Sequence, residues 1–257
     1  MLLPGAGENN MNLNISAVVL TKNEEARIAD CLKRLTWVNE IIIIDNGSSD
    51  STVRLAKKFG ARIVESGAND FSKLRNLGKQ KAKGDWILYV DADEVVPEAL
   101  RREILERVKS KSPVAYYIPR KNYYLGQPWP YRDKMQRLFL RSALVGWHGA
   151  LHETAQVNGS FGTLTNPLEH YTHRSLEEMI EKTNEWSKTE AKLRFDTHHP
   201  QIVWWRLLRV MLTGFWQSYV SQDGWRAGTV GLIESIYQGY SMFITYAKLW
   251  EINMLYP

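Results

Sequence analysis

A single cysteine, Cys31, occurs in the 257 residues. An intramolecular disulfide and a cysteine-based zinc site are therefore excluded, which fits a reducing compartment. No GxGxxG run and no GxxxxGKS or GxxxxGKT run is present, so neither a dinucleotide fingerprint nor a P-loop is available to hold phosphate. Internal repeats and low-complexity tracts are also lacking, which removes solenoids and rods. Met1 to Asn14 has no basic stretch and no apolar core; it is not a secretory signal, and residues 1–13 are expected to form a disordered leader. Charge of one sign is not concentrated overall. The 33 basic and 28 acidic residues leave a net charge of +5, which suits anionic partners without choosing among them. With 44% hydrophobic and 24% charged residues, the chain has an ordinary globular composition and enough length for a substantial core.

From Ile15 to Val96, short apolar runs alternate with amphipathic stretches, the mark of βαβ units and a mainly parallel sheet. The runs are Ile15 to Leu20, Ile41 to Ile44, Ala61 to Val64 and Trp86 to Val90. Ile28, Cys31, Leu32 and Leu35 recur at i, i+3, i+4 and i+7, one face of a helix, which assigns Cys31 to the core. A second helix is expected from the Ser48, Ser49, Asp50 cluster to Gly60. A third should run from Phe71 to Lys83, closed by Gly84, and a fourth should open at Pro97. Beyond Ser112, short aromatic strands (Ala115 to Ile118, Gln136 to Leu140) stand between Gly, Pro and Trp, an elaborated edge where an acceptor has room to sit. Arg101 to Arg141 holds 11 Lys and Arg against 3 acidic residues, either a solvated basic face or a surface for a phosphate-rich partner.

The pattern is helical after Ser175. Trp204 to Pro257 carries 12 of the 29 aromatic residues and only seven charged ones. Ala227 to Ala247 has one charge, Glu234, but Gly, Ser, Thr, Gln and Tyr dilute it as a bilayer span. A pair of helices on a membrane surface, with Trp and Tyr at headgroup level and Arg206 and Arg209 near lipid phosphates, accounts for this enrichment. A helical cap on the core, or a dimer interface, is the other reading.

In an open parallel sheet, ligands bind beyond the carboxyl ends of the strands. The residues there are polar every time, among them Thr21 to Glu24, Asp45 to Ser48, and Asp91 to Glu94. Carboxylates on two strand ends repel unless a cation or hydrogen-bond donors lie between them. Asp91 and Asp93 flank Ala92, an Asp-x-Asp placement suited to Mg2+ or Mn2+ shared with substrate phosphates.

These motifs, VVLTKNEE (Val18 to Glu25), IIIIDNGSSDST (Ile41 to Thr52) and KLRNLGKQKAKGDWILYVDADE (Lys73 to Glu94), resemble in order and spacing the nucleotide half of family 2 inverting glycosyltransferases. RLFLR (Arg137 to Arg141), GWHGALHE (Gly146 to Glu153), LEHY (Leu168 to Tyr171) and the aromatic tail resemble a bacterial subgroup that includes lipopolysaccharide core glucosyltransferases. The resemblance implies an α/β, GT-A fold, Rossmann-like with flanking helices, over residues 14–199. Within it, residues 14–96 would bind the nucleotide and 97–174 the acceptor, and 200–257 would form a helical membrane-associating extension.

The resemblance further implies a UDP-sugar donor, with Thr21, Glu24, Asp45, Arg75 and Asp91 in the nucleotide-sugar site and Mg2+ or Mn2+ on Asp93 and His170. Glu153, of the pair His152 and Glu153, is the implied base. It has a competing role in holding a loop or orienting the acceptor, and Asp133 is its rival. His170 is as well explained by a structural role. Many relatives have Asp where this chain has Asn46, and a third Asp where it has Glu94. The expected activity is transfer of glucose from UDP-glucose to a membrane-linked saccharide such as the lipopolysaccharide inner core, at the inner face of the cytoplasmic membrane. Alternatives are a polyprenyl phosphate or protein acceptor, or a nucleotide-sugar-binding protein without catalysis. Nucleic acid is not an expected partner, because it leaves the carboxylates unexplained.

Overall fold

A computed structural model describes residues 14–68, 70–149 and 153–255; the expected leader therefore lies outside the described residues. The first apolar run forms β1 (Ile15–Thr21), buried along its whole length, as a strand covered on both faces must be. The chain continues through α1 (Ile28–Lys33), β2 (Glu40–Asp45), α2 (Thr52–Lys58), β3 (Arg62–Glu65), α3 (Phe71–Lys81) and β4 (Trp86–Asp91). These strands lie parallel in the order β3-β2-β1-β4. Register sets Thr21 opposite Asp45 and Leu20 opposite Asp91, so three of the polar ends stand in a row. The order reverses at β1, the position at which such sheets open a crevice.

Side chains alternate across β1. Ala17 and Val19 join Ile28, Leu32, Leu100 and Ile104 on one face, while Val18 and Leu20 join Leu74, Trp147 and Ala155 on the other. Cys31 belongs to the first cluster, as its helical spacing requires.

Asp70 caps α3, its side chain accepting from the Ser72 and Lys73 amides. This helix ends at Lys81, two residues before the expected end, and Gly84 has a different role from closing it. A Cβ on Gly84 would lie 2.7 Å from Asn14 O and Ser16 N, so glycine lets the chain pass against the start of β1.

The remaining elements are β5 (Glu94–Val95), α4 (Glu98–Arg107), β6 (Ala115–Tyr124), β7 (Gln127–Leu140), β8 (Leu144–His148), β9 (Thr154–Val157), β10 (Phe161–Thr163), β11 (Leu168–Thr172), α5 (Leu176–Asp196), α6 (Trp204–Trp216) and α7 (Gly228–Leu255). The chain divides into two compact units, Met1–Pro119 with Lys134–Leu168, and Arg120–Asp133 with Glu169–Pro257. Residues 199 and 200, where an extension was expected to begin, both belong to the second.

In the first unit, β7 runs antiparallel to β4, pairing Trp86 with Leu140 and Leu88 with Leu138. β8 and β9 form a separate antiparallel pair.

In the second unit, residues 120–133 are a hairpin. Its turn, Leu125 and Gly126, has φ of 48° and 77°, the left-handed pair that a two-residue hairpin turn demands. The aromatic strands are thus longer than expected, because Pro128 and Pro130, read as breakers, are exposed within β7 and are tolerated there. α6 and α7 cross closely. A Cβ on Gly214 would approach Gln238 O to 2.9 Å, and one on Gly239 would approach Met211 O to 2.8 Å. Glu234, 1% exposed, meets His173 Nδ1 at 3.0 Å and accepts from Gln238 Nε2 at 2.7 Å. Among the described residues, no helix is long and apolar enough to cross a membrane.

Candidate functional site

At the carboxyl end of β1 and β2, the loops are laced together by their own polar side chains. Thr21 Oγ1 donates to Asp45 Oδ1 at 3.0 Å, and the Ser48 amide and hydroxyl donate to the same carboxylate at 2.9 and 2.6 Å. Asn23, at φ 55°, receives on its amide side-chain oxygen the Ser49 N–H at 2.8 Å while its own N–H reaches Ser48 Oγ at 2.9 Å. Glu24 is held through its N–H to Thr52 Oγ1 at 2.7 Å and through its carboxylate to Arg27 at 2.9 Å. Thr21 and Asp45 are buried, at 4% and 3% exposure. The Asp45 carboxylate is answered by these hydrogen-bond donors and has no need of a cation.

The end of β4 is built differently. Asp91 sits between two arginines: Arg75 Nη2 donates to its Oδ1 at 3.2 Å, and both terminal nitrogens of Arg137 reach its carboxylate. Arg137 Nη2 also donates to Glu94 Oε1 at 2.7 Å. Burial opposes a charge on Arg137, yet Asp91 and Glu94 together push its pKa up. Arg75 turns its Nε to Glu153 Oε1 at 2.8 Å. A chain of alternating charge therefore runs Glu94, Arg137, Asp91, Arg75, Glu153.

Its outer end is positioned by β8. Trp147 exchanges two hydrogen bonds with the Asn76 side chain, both 2.9 Å, and lies under the Arg75 guanidinium at 5.0 Å. Stacked and forked, Arg75 uses the geometry that distinguishes arginine from lysine. Arg75 Nη1 is buried without an acceptor among the described residues, a donor of the kind a ligand oxygen would complete. Cys31 lies behind this cluster, its Sγ 3.7 Å from Asp91 O. Burial first, then Glu94, Asp93, Asp91 and Glu24, raise its thiol pKa well above the ordinary value. It is a packed, unreactive thiol.

The structure thus brings together Thr21 with Asp45, and Arg75 with Asp91 and Glu153, in the first unit. Asp93 follows Asp91 across the buried Ala92. His152 lies outside the described residues. In the second unit, His170 Nδ1 meets Asn122 Oδ1 at 2.7 Å, and Asp133 pairs with Arg120 and accepts from Asn122 Nδ2 at 3.2 Å.

Arg137 and Glu94 were not expected to join this cluster. Arg137 stood in a run of basic residues that read as one surface, and Glu94 read as a tolerated departure. That run is not one face: Arg137 is 1% exposed, while Arg101, Lys109 and Arg120 pair with Glu98, Glu106 and Asp133.

Among the described residues, no group of three or more His, Cys, Asp or Glu side chains is placed to hold a metal ion. A cage built by the protein alone does not fit. One hard carboxylate, Asp93, completed by a substrate's phosphate oxygens does fit the coordination habits of Mg2+ and Mn2+.

The family model for glycosyl transferase family 2 matches residues 16–158. An uncharacterised glycosyltransferase of Rickettsia prowazekii (strain Madrid E) is 27% identical over 257 residues, 93% of this chain and 88% of that protein. The lipopolysaccharide core biosynthesis glycosyltransferase LpsC of Rhizobium meliloti (strain 1021) is 25% identical over 256 residues, 95% of this chain and 94% of LpsC. Among solved structures, glucosyl-3-phosphoglycerate synthase from Mycobacterium tuberculosis, with Mn2+, UDP and glucosyl-3-phosphoglycerate, is 20% identical with a TM-score of 0.40. That alignment covers 52% of this chain and 58% of the synthase.

Proposed function

Because the chain belongs to glycosyl transferase family 2 and has the GT-A fold, we propose that it transfers glucose from UDP-glucose, with inversion, to a membrane-linked saccharide of the lipopolysaccharide inner-core class. The observation that carries this reading is the Asp91, Arg75, Glu153 chain at the carboxyl end of β4. It binds a nucleotide-side carboxylate and a candidate base to neighbouring nitrogens of one guanidinium. LpsC, similar over nearly the whole chain, carries a name that places it in core biosynthesis, which supports the acceptor class.

Thr21, Glu24 and Asp45 line the uracil end of the proposed donor site, and Asp91 accepts from the ribose. Arg75 Nη1 donates to a diphosphate oxygen. Glu153 takes the proton of the acceptor hydroxyl as that oxygen bonds to the anomeric carbon. The bond from that carbon to the diphosphate breaks on the opposite face, and UDP leaves with the electron pair. Asp93, together with the donor phosphates, would hold Mg2+ or Mn2+, which would supply positive charge against the departing diphosphate.

The second unit supports a membrane-held acceptor. Along α6, Trp204, Leu208, Leu212 and Trp216 recur every fourth residue at 75%, 49%, 63% and 63% exposure. Trp205 beside them carries Arg206 and Arg209 over its ring at 6.0 and 5.5 Å. α6 contains no acidic residue. An anionic leaflet receives both the cations and the apolar stripe.

The test is turnover of a panel of nucleotide sugars by purified protein, with Mn2+ or with chelator. Transfer or slow hydrolysis of UDP-glucose that chelator abolishes is expected. Absence of turnover and of UDP binding would overturn the reading.

A further inference from the structure

The acidic turn after β4 is closed by a ring of hydrogen bonds that includes a side chain from β7. The Asp91 N–H donates to Glu94 Oε2 at 2.9 Å, Glu94 Oε1 accepts from Arg137 Nη2 at 2.7 Å, and Arg137 returns to the Asp91 carboxylate. Glu94 is 0% and Arg137 1% exposed, whereas the Asp91 side chain keeps 30%. Only Asp91 of the three therefore offers a face to a ligand.

Holding the strands together does not account for this arrangement. β4 and β7 are already paired through Trp86, Ile87 and Leu88 and packed through Leu138 and Phe139, and buried ion pairs are a weak source of stability. The geometry fits a positional demand better. Glutamate has the length to bridge the Asp91 amide and a guanidinium, which an aspartate, shorter by one methylene, does not span. Arginine has the fork to hold two carboxylates, which lysine lacks. With Arg75 also on Asp91 Oδ1 at 3.2 Å, a divalent cation on those same oxygens would stand beside two fixed positive charges.

We propose that Arg137 and Glu94 are positioning residues of the donor site: they hold Asp91 as a fixed acceptor toward the nucleotide and leave cation ligation to Asp93. This rests on the glycosyltransferase reading above. It also gives Glu94 a reason to be glutamate.

The test is UDP affinity by calorimetry, in Mn2+ and in chelator, for wild type, Arg137→Lys, Glu94→Asp and the double variant Arg137→Met with Glu94→Gln. Unfolding of each is followed by circular dichroism. The double variant removes both partners of the buried pair and so avoids stranding one charge. Glu94→Asp and the double variant, where folded, are expected to lose at least about tenfold in UDP affinity in Mn2+, the size of one misplaced hydrogen bond to a charged group. Arg137→Lys should lie between them and wild type. Wild-type UDP affinity in a folded double variant, or in Glu94→Asp should the double variant not fold, would overturn the proposal and leave the donor reading standing. Failure of the wild type to bind UDP at all would remove both.

Discussion

Arg137 and Trp204 occupy environments opposite to those their side chains prefer: the guanidinium is 1% exposed, the indole 75%. Around Arg137, in the first unit, charges are taken out of water and answered one by one, Glu94 and Asp91 by Arg137, Asp91 and Glu153 by Arg75. Around Trp204, in the second unit, apolar side chains stay in water along a whole helix face. Desolvated charge costs several kcal/mol per ion before pairing, and an exposed Trp or Leu forgoes roughly 1.5–3 kcal/mol of burial. Neither region was shaped for stability alone. The first holds carboxylates at fixed positions, and the second leaves apolar side chains exposed.

The comparison is broken most severely at the charged end. Glu153→Gln keeps the shape but removes the proposed proton acceptor. Turnover is expected to fall at least about a hundredfold with UDP affinity little changed, measured by steady-state transfer beside calorimetry. Collapse of UDP affinity with turnover preserved would make Glu153 a donor-pocket residue.

At the apolar end, the triple change Trp204→Ser, Leu212→Ser, Trp216→Ser tests the stripe. Losing about 1 kcal/mol per partly immersed side chain, a fraction of full burial, predicts a drop of roughly a hundredfold in partitioning to phosphatidylglycerol vesicles. Folding and donor hydrolysis should persist. Flotation measures it, and unchanged flotation removes the stripe from the interface. The apolar contribution exceeds the roughly 1 kcal/mol per nearby arginine, so salt should weaken binding less than the substitutions do.

Asp93→Asn sharpens the contrast within the charged cluster itself. UDP affinity in Mn2+ should fall by at least about tenfold, to the value wild type shows in chelator, because the change removes a hard anionic ligand at constant volume. Equal affinity in both proteins would take Asp93 out of the cation site.

The smallest effect concerns Cys31. Its raised thiol pKa and burial predict no alkylation of native protein at mildly alkaline pH and full alkylation after denaturation, read by mass spectrometry. Labelling of the native state at the unfolded rate would mean that the packing behind Asp91 opens.

Much of the first unit could be read directly from the chain, since strands buried on both faces appear as unbroken apolar runs and their polar sequels mark the ligand edge. Thr21, Asp45 and Asp91, expected in this way at the strand ends, stand there in a row across β1, β2 and β4. The hairpin at 120–133 was not found, because its turn and its exposed prolines carry the residues that usually break strands. Exposure of α6 was half legible. Composition announced too many aromatics, but only packing showed that Val210 and Gly214 face inward while Trp204 and Leu212 do not.

What the sequence determined by itself are features written in short-range periodicity: two residues per strand repeat, 3.6 per helical turn, caps and breakers within a few positions. What tertiary structure alone decided is which distant charges meet. Arg75 meets Glu153 across 78 positions and Arg137 meets Glu94 across 43. No local pattern encodes such pairs, because they exist only once strand order and register have brought β7 beside β4 and set β8 against α3, and burial then makes each unpaired charge too costly to leave unanswered.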